Sequence, residues 1–166
     1  MRFFYPVYVG LTSLAFLLMS PFIFLYIQVK GSHRQHLGER LGWLPRATLD
    51  NCEGTPRIWV HAVSLGEVKV AEAIIASLKK QMPGCAILVS TTTPHGRDLA
   101  QSLFGEDIPV IYAPLDLLFC VRKALLSVRP EALVFIETEI WPAWVIEARR
   151  MGVPVAMVNG RISPRS

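Results

Sequence analysis

Residues 57–81, RIWVHAVSLGEVKVAEAIIASLKKQ, decide the fold. A β-branched, doubly apolar run over Ile58–Ala62 gives way, across the short polar turn Val63–Gly66, to the 3.6-residue periodicity of a helix over Glu67–Gln81. A strand that is apolar on both faces is one that is covered on both faces, and a helix following directly supplies one of those covers. The inner face of that helix is expected from Val70, Ala73, Ile74 and Leu78, with Ala76 at its edge.

Outward from this unit the same alternation repeats. Strands are expected over Ala86–Ser90, Val110–Tyr112, Leu133–Ile136 and Val155–Val158. Helices are expected over Gly96–Phe104, Leu117–Val128 and Ala143–Arg150, the third ended by Arg129-Pro130 and the last closed by Gly152. Five such steps predict an α/β domain, a Rossmann-like, doubly wound parallel sheet over residues 57–166 with right-handed crossovers. Ligands of such sheets bind beyond the carboxyl ends of the strands.

Composition points elsewhere for the amino terminus. The chain has 166 residues, 52% hydrophobic and only 18% charged, against about 25% charged in a typical soluble chain. From Phe3 to Val29 no residue is charged. About 20 such residues cross a bilayer core, so residues 1–30 are expected to form a transmembrane anchor, with Tyr5, Tyr8 and Tyr26 near its edges. A cleaved signal peptide would want a shorter apolar core and a small-x-small site, which Ser20-Pro21-Phe22-Ile23 does not supply. Arg2 alone precedes the segment, whereas Lys30, Arg34, Arg40 and Arg46 follow it, which orients the rest of the chain to the cytoplasmic side. Those basic residues either touch anionic headgroups or only set the topology. Residues 31–56, punctuated by Gly31, Gly38, Gly42, Pro45, Gly54 and Pro56, read as a juxtamembrane linker in which Trp43 and Leu44 make an interfacial or docking contact.

Residues 31–166 hold 15 basic against 13 acidic residues, which is no nucleic-acid balance. Cys52, Cys85 and Cys120 are too widely spaced for a metal ribbon or a redox pair and read as reduced thiols.

The polar residues gather after the strands. Ser64 and Glu67 have the spacing of a capping box; alternatively Glu67, at a helix start whose amides favour its ionised form, accepts a proton from a bound hydroxyl. Gly66 lets a ligand approach the backbone. The loop is not Gly-x-Gly-x-x-Gly, which disfavours a nucleotide-dependent oxidoreductase. Thr91, Thr92 and Thr93 precede Pro94 and Gly96, and Thr93 is an ordinary N-cap. The same hydroxyls, a helix amino end and Arg97 also suit an anionic or sugar ligand. His95 alone is no sign of a catalytic histidine. Glu137 and Glu139 flank Thr138 just before Trp141-Pro142, an arrangement suited to catalysis or to sugar binding, or else to one paired and one solvated carboxylate. Asn159 and Arg161 add donors at the same edge, and Asp116 reads as the N-cap of the third helix.

Taken as an ordered set, His61-Ala62-Val63-Ser64-x-Gly66-Glu67-Val68, Thr91-Thr92-Thr93-Pro94-x-Gly96, Tyr112-x-Pro114-Leu115-Asp116, Glu137-Thr138-Glu139-x-Trp141-Pro142 and Asn159-x-Arg161-x-Ser163 resemble the 3-deoxy-D-manno-octulosonic acid (Kdo) transferases over nearly the whole chain. Leu65 and Gly160 are mild departures from that pattern. The resemblance implies the N-terminal half of a membrane-anchored GT-B glycosyltransferase of the bacterial inner membrane, acting in lipopolysaccharide biosynthesis. It further implies transfer of Kdo from CMP-Kdo to a lipid A precursor, inverting, with no cofactor and no metal. Glu67 would be the catalytic base. Ser64, Gly66, Thr91, Thr92, Thr93, Gly96, Glu137, Glu139, Trp141, Asn159 and Arg161 would contact substrate. The family carries a further C-terminal donor domain, so these 166 residues alone are expected to be inactive, or to act as a non-catalytic anchored binding half that needs a partner domain.

Overall fold

A computed structural model describes residues 7, 10, 11, 14, 18, 36–50, 52–105, 107–137 and 141–159. Its centre is a five-stranded, wholly parallel sheet in the order β3-β2-β1-β4-β5. The strands are β1 (Arg57–His61), β2 (Ala86–Thr91), β3 (Val110–Tyr112), β4 (Ala132–Ile136) and β5 (Val155–Val158). The helices are α1 (Leu37–Arg40), α2 (Arg46–Asp50), α3 (Leu65–Gln81), α4 (Pro94–Phe104), α5 (Leu118–Val128) and α6 (Pro142–Arg150). Every strand and helix expected after residue 57 is present, with boundaries moved by no more than two residues.

Alternation along the strands sends side chains to two separate cores. Trp59, Leu88, Ile111, Leu133 and Phe135 pack under α5 and α6, whose Val121, Ala124, Leu125, Trp144 and Ala148 meet them. Ile58, Val60, Ile87, Val89 and Val134 pack under α3 and α4. The sheet is therefore covered on both faces, and its two halves wind in opposite directions from the β1–β4 pair. That pair is the topological switch point, where the loops leaving neighbouring strands diverge and open a crevice.

Two expectations need correction. The buried stripe of α3 is Glu67, Val68, Ala71 and Ile75, whereas Val70, Ile74 and Leu78 are its half-buried flank and Ala73 and Ala76 face outward. Apolar residues crowd both sides of the stripe, so periodicity alone misplaces its phase; the shift carries Glu67 inside. The described part of the presumed linker is also not a tether. Cys52 is buried in the first core, and Leu44 and Leu49 pack against it. Gly42 has φ +81°, and a Cβ there would lie 2.3 Å from the Cys120 carbonyl oxygen, so only glycine allows the turn after α1 to sit against α5. The segment is held by such single contacts and not by an apolar stripe, which is why it reads as a linker. Trp43 remains exposed, with the Lys123 ammonium 3.8 Å from its ring centroid.

Among the described residues no helix is long and apolar enough to cross a membrane. The anchor expected over 1–30 falls almost entirely outside them. Of that stretch, Val7, Gly10, Leu11, Leu14 and Leu18 have helical backbone.

Candidate active site

The loop from β1 into α3 is built around the Glu67 carboxylate. Glu67 is 5% exposed. The Val63 N–H donates to its Oε2 at 2.8 Å, and the Ser64 hydroxyl donates to its Oε1 at 2.9 Å. This departs from the expected capping box. Ser64 is the N-cap, yet its hydroxyl is spent on Glu67 and caps no backbone amide. The carboxylate draws donors to itself at the amino end of α3, where the helix dipole also favours its negative charge. Beside it, a Cβ on Gly66 would meet nothing closer than the Ser64 Oγ at 4.0 Å. Space, rather than packing, distinguishes that position.

The loop from β2 into α4 is locked to the first one. The Thr93 hydroxyl accepts the Gly96 N–H at 3.0 Å, the expected N-cap, and also lies 3.3 Å from the Val63 carbonyl oxygen as a donor. The Thr92 and Thr93 N–H groups both donate to that same carbonyl at 3.3 Å. Gly96 is what lets the loops meet: a Cβ there would lie 2.8 Å from Thr93 Oγ1 and 3.2 Å from Val63 O. Ser64, Glu67, Thr92, Thr93 and Gly96 are thus interlocked through Val63, with Gly66 and Thr91 beside them. The hydroxyl oxygens of Thr91 and Thr92 are buried with no partner among the described residues.

Glu137, at the end of β4, is partly exposed and has φ +64°, the left-handed region that costs a side-chain-bearing residue about 1 kcal/mol or more. Its N–H donates to the Val158 carbonyl at 2.8 Å, so the turn is fixed by the next strand. Asn159 occupies the left-handed region too, at φ +60°, and is exposed at the end of β5. Glu139 and Arg161 lie outside the described residues. Trp141 stands edge-on to the His61 ring, 5.5 Å between centroids, which joins the β4 loop to the end of β1. Asp116 does not cap its own helix: the N-cap of α5 is Leu117, and Asp116 Oδ1 instead accepts the Ala143 N–H of α6 at 2.9 Å.

His61 was not among the candidate residues, although it ends β1 beside them. It is 1% exposed, stacked on Trp144 at 5.1 Å and edge-on to Phe135 at 5.7 Å. Trp59 Nε1–H donates to Ser90 Oγ at 2.8 Å, and Ser90 Oγ lies 2.9 Å from His61 Nδ1. Either tautomer of the His61 ring satisfies the contact between Ser90 Oγ and Nδ1, and Nε2 is buried with no partner among the described residues. Burial pushes its pKa down to about 4. The signal available in sequence was parity, since Trp59 and His61 share a face two residues apart.

Among the described residues no cluster of three or more His, Cys, Asp or Glu side chains is placed to hold a metal ion. An apolar groove of about 390 Å³ lies between α6 and β5, lined by Val145, Arg149, Gly152, Val153, Pro154 and Val155 and by none of the candidate residues.

A family model for 3-deoxy-D-manno-octulosonic-acid transferase (kdotransferase) matches residues 35–166. The 3-deoxy-D-manno-octulosonic acid transferase of Haemophilus influenzae is 34% identical over 169 residues, which cover 99% of this chain and 37% of that protein. Its counterpart from Chlamydia pneumoniae is 30% identical over 90% of this chain and 34% of that protein. That of Bordetella pertussis is 35% identical over 66% of this chain and 26% of its own length. Among solved structures, Acinetobacter baumannii MurG is similar over 61% of this chain and 33% of its own, at 17% identity and a TM-score of 0.47. The chain therefore spans about a third of the length of the curated relatives it matches.

Proposed function

This chain belongs to the 3-deoxy-D-manno-octulosonic-acid transferase family, and we propose that it is the acceptor-side half of a GT-B glycosyltransferase that moves Kdo from CMP-Kdo to a lipid A precursor. The observation that carries the reading is Glu67, a buried carboxylate held by two donors at the switch point of the sheet. The Val63 amide and the Ser64 hydroxyl stabilise its charged form and fix its orientation. In the proposed step the acceptor hydroxyl gives its proton to Glu67. Its oxygen attacks the anomeric carbon of Kdo from the face opposite the leaving group, and the bond to the CMP phosphate breaks with the electron pair leaving on CMP. Configuration inverts, and no metal or cofactor is assigned a role. Ser64, Gly66, Thr91, Thr92, Thr93 and Gly96 would line the acceptor side, with Glu137, Glu139, Trp141, Asn159 and Arg161 completing the crevice.

Donor binding is assigned to polypeptide outside these 166 residues, a reading supported by the 37% share of the Haemophilus influenzae relative that the chain covers. Residues 1–30 are proposed as an inner-membrane anchor with the sheet domain on the cytoplasmic side. The uncharged run Phe3–Val29 supports this, and so do the exposed apolar side chains of Val7, Leu11, Leu14 and Leu18 on helical backbone.

The test is Kdo transfer, read by mass spectrometry of the lipid product, using this chain with and without the remaining polypeptide supplied in trans. Product is expected only with both. Glu67→Gln in the complete protein should lower turnover about 10²–10⁴-fold with acceptor binding retained. Full activity of that variant would remove Glu67 from the role of base.

A further inference from the structure

The short helix α1 brings a second charged cluster to the carboxyl edge of the sheet. The Glu39 carboxylate accepts both Nη groups of Arg97, at 2.5 and 3.3 Å, and the Tyr112 N–H of the edge strand β3 at 2.6 Å. His36 Nδ1 stands 3.5 Å away. Glu39 is 9% exposed, so this one carboxylate is consumed by its partners. The neighbouring Arg40 makes no such ion pair among the described residues. Its guanidinium lies 4.4 Å from the Tyr112 ring centroid, alongside that of Arg97 at 4.5 Å, and it makes one side-chain hydrogen bond, Nη2 to the Thr92 carbonyl at 2.8 Å. Among the described residues no carboxylate forms a salt bridge with it.

Arg40 is thus a partly buried cation with most of its five donors unspent. Burial opposes its charge, Tyr112 and Glu39 offset part of that cost, and the adjacent Arg97 adds to it. An anion would offset that cost. Independent of the guanidinium, the Thr92 hydroxyl oxygen is buried without a partner, on the residue whose carbonyl holds Arg40, and so is that of the fully buried Thr91 beside it. A planar fork of N–H donors next to an idle hydroxyl suits a group with several anionic oxygens.

We propose that Arg40 and the Thr92 hydroxyl form an oxyanion subsite for a phosphate monoester at the rim of the crevice, with Glu39 and Arg97 fixing the backbone that presents Arg40. The subsite deepens the transferase reading without depending on it, since phosphate binding is measured apart from turnover and either can fail alone.

The experiment uses the full 166-residue chain in neutral detergent micelles, with the Thr92 and Tyr112 amide resonances as reporters. One arm adds inorganic phosphate, and the other dopes the micelles with phosphatidic acid. Saturable shifts at both amides are expected, weakened about tenfold or more in Arg40→Gln and by a smaller factor in Arg40→Lys, which keeps the charge and loses the fork. Response to inorganic phosphate as well as to the doped micelles assigns the site to free phosphate groups; response to the doped micelles alone assigns it to lipid-borne ones. If Arg40→Gln fails to fold by circular dichroism, Thr92→Val carries the test with an expected weakening of about threefold. No shift with either probe, or equal affinity in wild type and the folded variant, overturns the proposal.

Discussion

The ends of β1 and β4 lie side by side at the switch point, yet they hold their acidic residues in opposite ways. Glu67 is on an ordinary helical backbone, 5% exposed, with donors on both oxygens. Glu137 is partly exposed on left-handed backbone, and the order at its position comes from its amide bonding to Val158 and not from its side chain. At β1 the side chain is fixed and the backbone relaxed; at β4 the backbone is fixed under strain. A group that must take a proton at a set point gains from the first arrangement, while one that contacts a substrate from a rim tolerates the second. The strands beneath differ as well, because β1 is buried over Ile58–His61 and β5, beyond β4, is exposed at Val155, Ala156 and Met157.

The contrast breaks most readily in turnover. Against the loss of about 10²–10⁴-fold expected for Glu67→Gln, Glu137→Gln in the complete protein should cost about tenfold or less, because a hydrogen-bonding contact and not a proton transfer is altered. Equal losses at the two positions would erase the distinction between them.

A smaller effect concerns pH. His61, at the closed β1 end, has its pKa lowered from 6.5 to about 4 by burial. The unfolded chain then binds more protons at this site between those values, so the stability contribution is complete above pH 6.5 and is lost as pH falls toward 4. The full span amounts to about 3 kcal/mol at 1.36 kcal/mol per pKa unit. Denaturant midpoints across pH 4–7 check it, and His61→Gln should flatten the slope. A wild-type slope unchanged by that substitution would show that His61 is not the titrating group.

Next comes the cap that ties the β4 side to the rest of the sheet. Asp116→Ala removes the acceptor for the Ala143 N–H and should cost about 1 kcal/mol by chemical denaturation, the ordinary value of a helix cap. The smallest expected effect has the opposite sign. Glu137→Gly should stabilise the fold by about 0.5–1 kcal/mol, since glycine adopts the left-handed region without the Cβ clash. A destabilised Glu137→Gly would mean that the Glu137 side chain, and not only its amide, holds the turn.

Local chemistry written in the chain determined much of this molecule. β-Branched runs and helical periodicity located all five strands and the four longer helices, and Thr93-Pro94 marked the start of α4. Their alternation, with the handedness of crossovers, was enough to place Glu67, the threonines and Glu137 at one edge of a parallel sheet. What tertiary structure alone decided are contacts whose partners lie far apart in sequence. Asp116 caps α6, 27 residues away, instead of α5; Glu39 reaches Arg97 across 58 residues and the Tyr112 amide across 73. Neither distance leaves a periodic trace, so residues 31–56 read as a linker and Arg40 as a headgroup contact or a topology signal. The orientation of Glu67 was of the same kind. Its spacing from Ser64 fits a capping box, and only the packed phase of α3 turned its carboxylate inward to draw both donors onto itself.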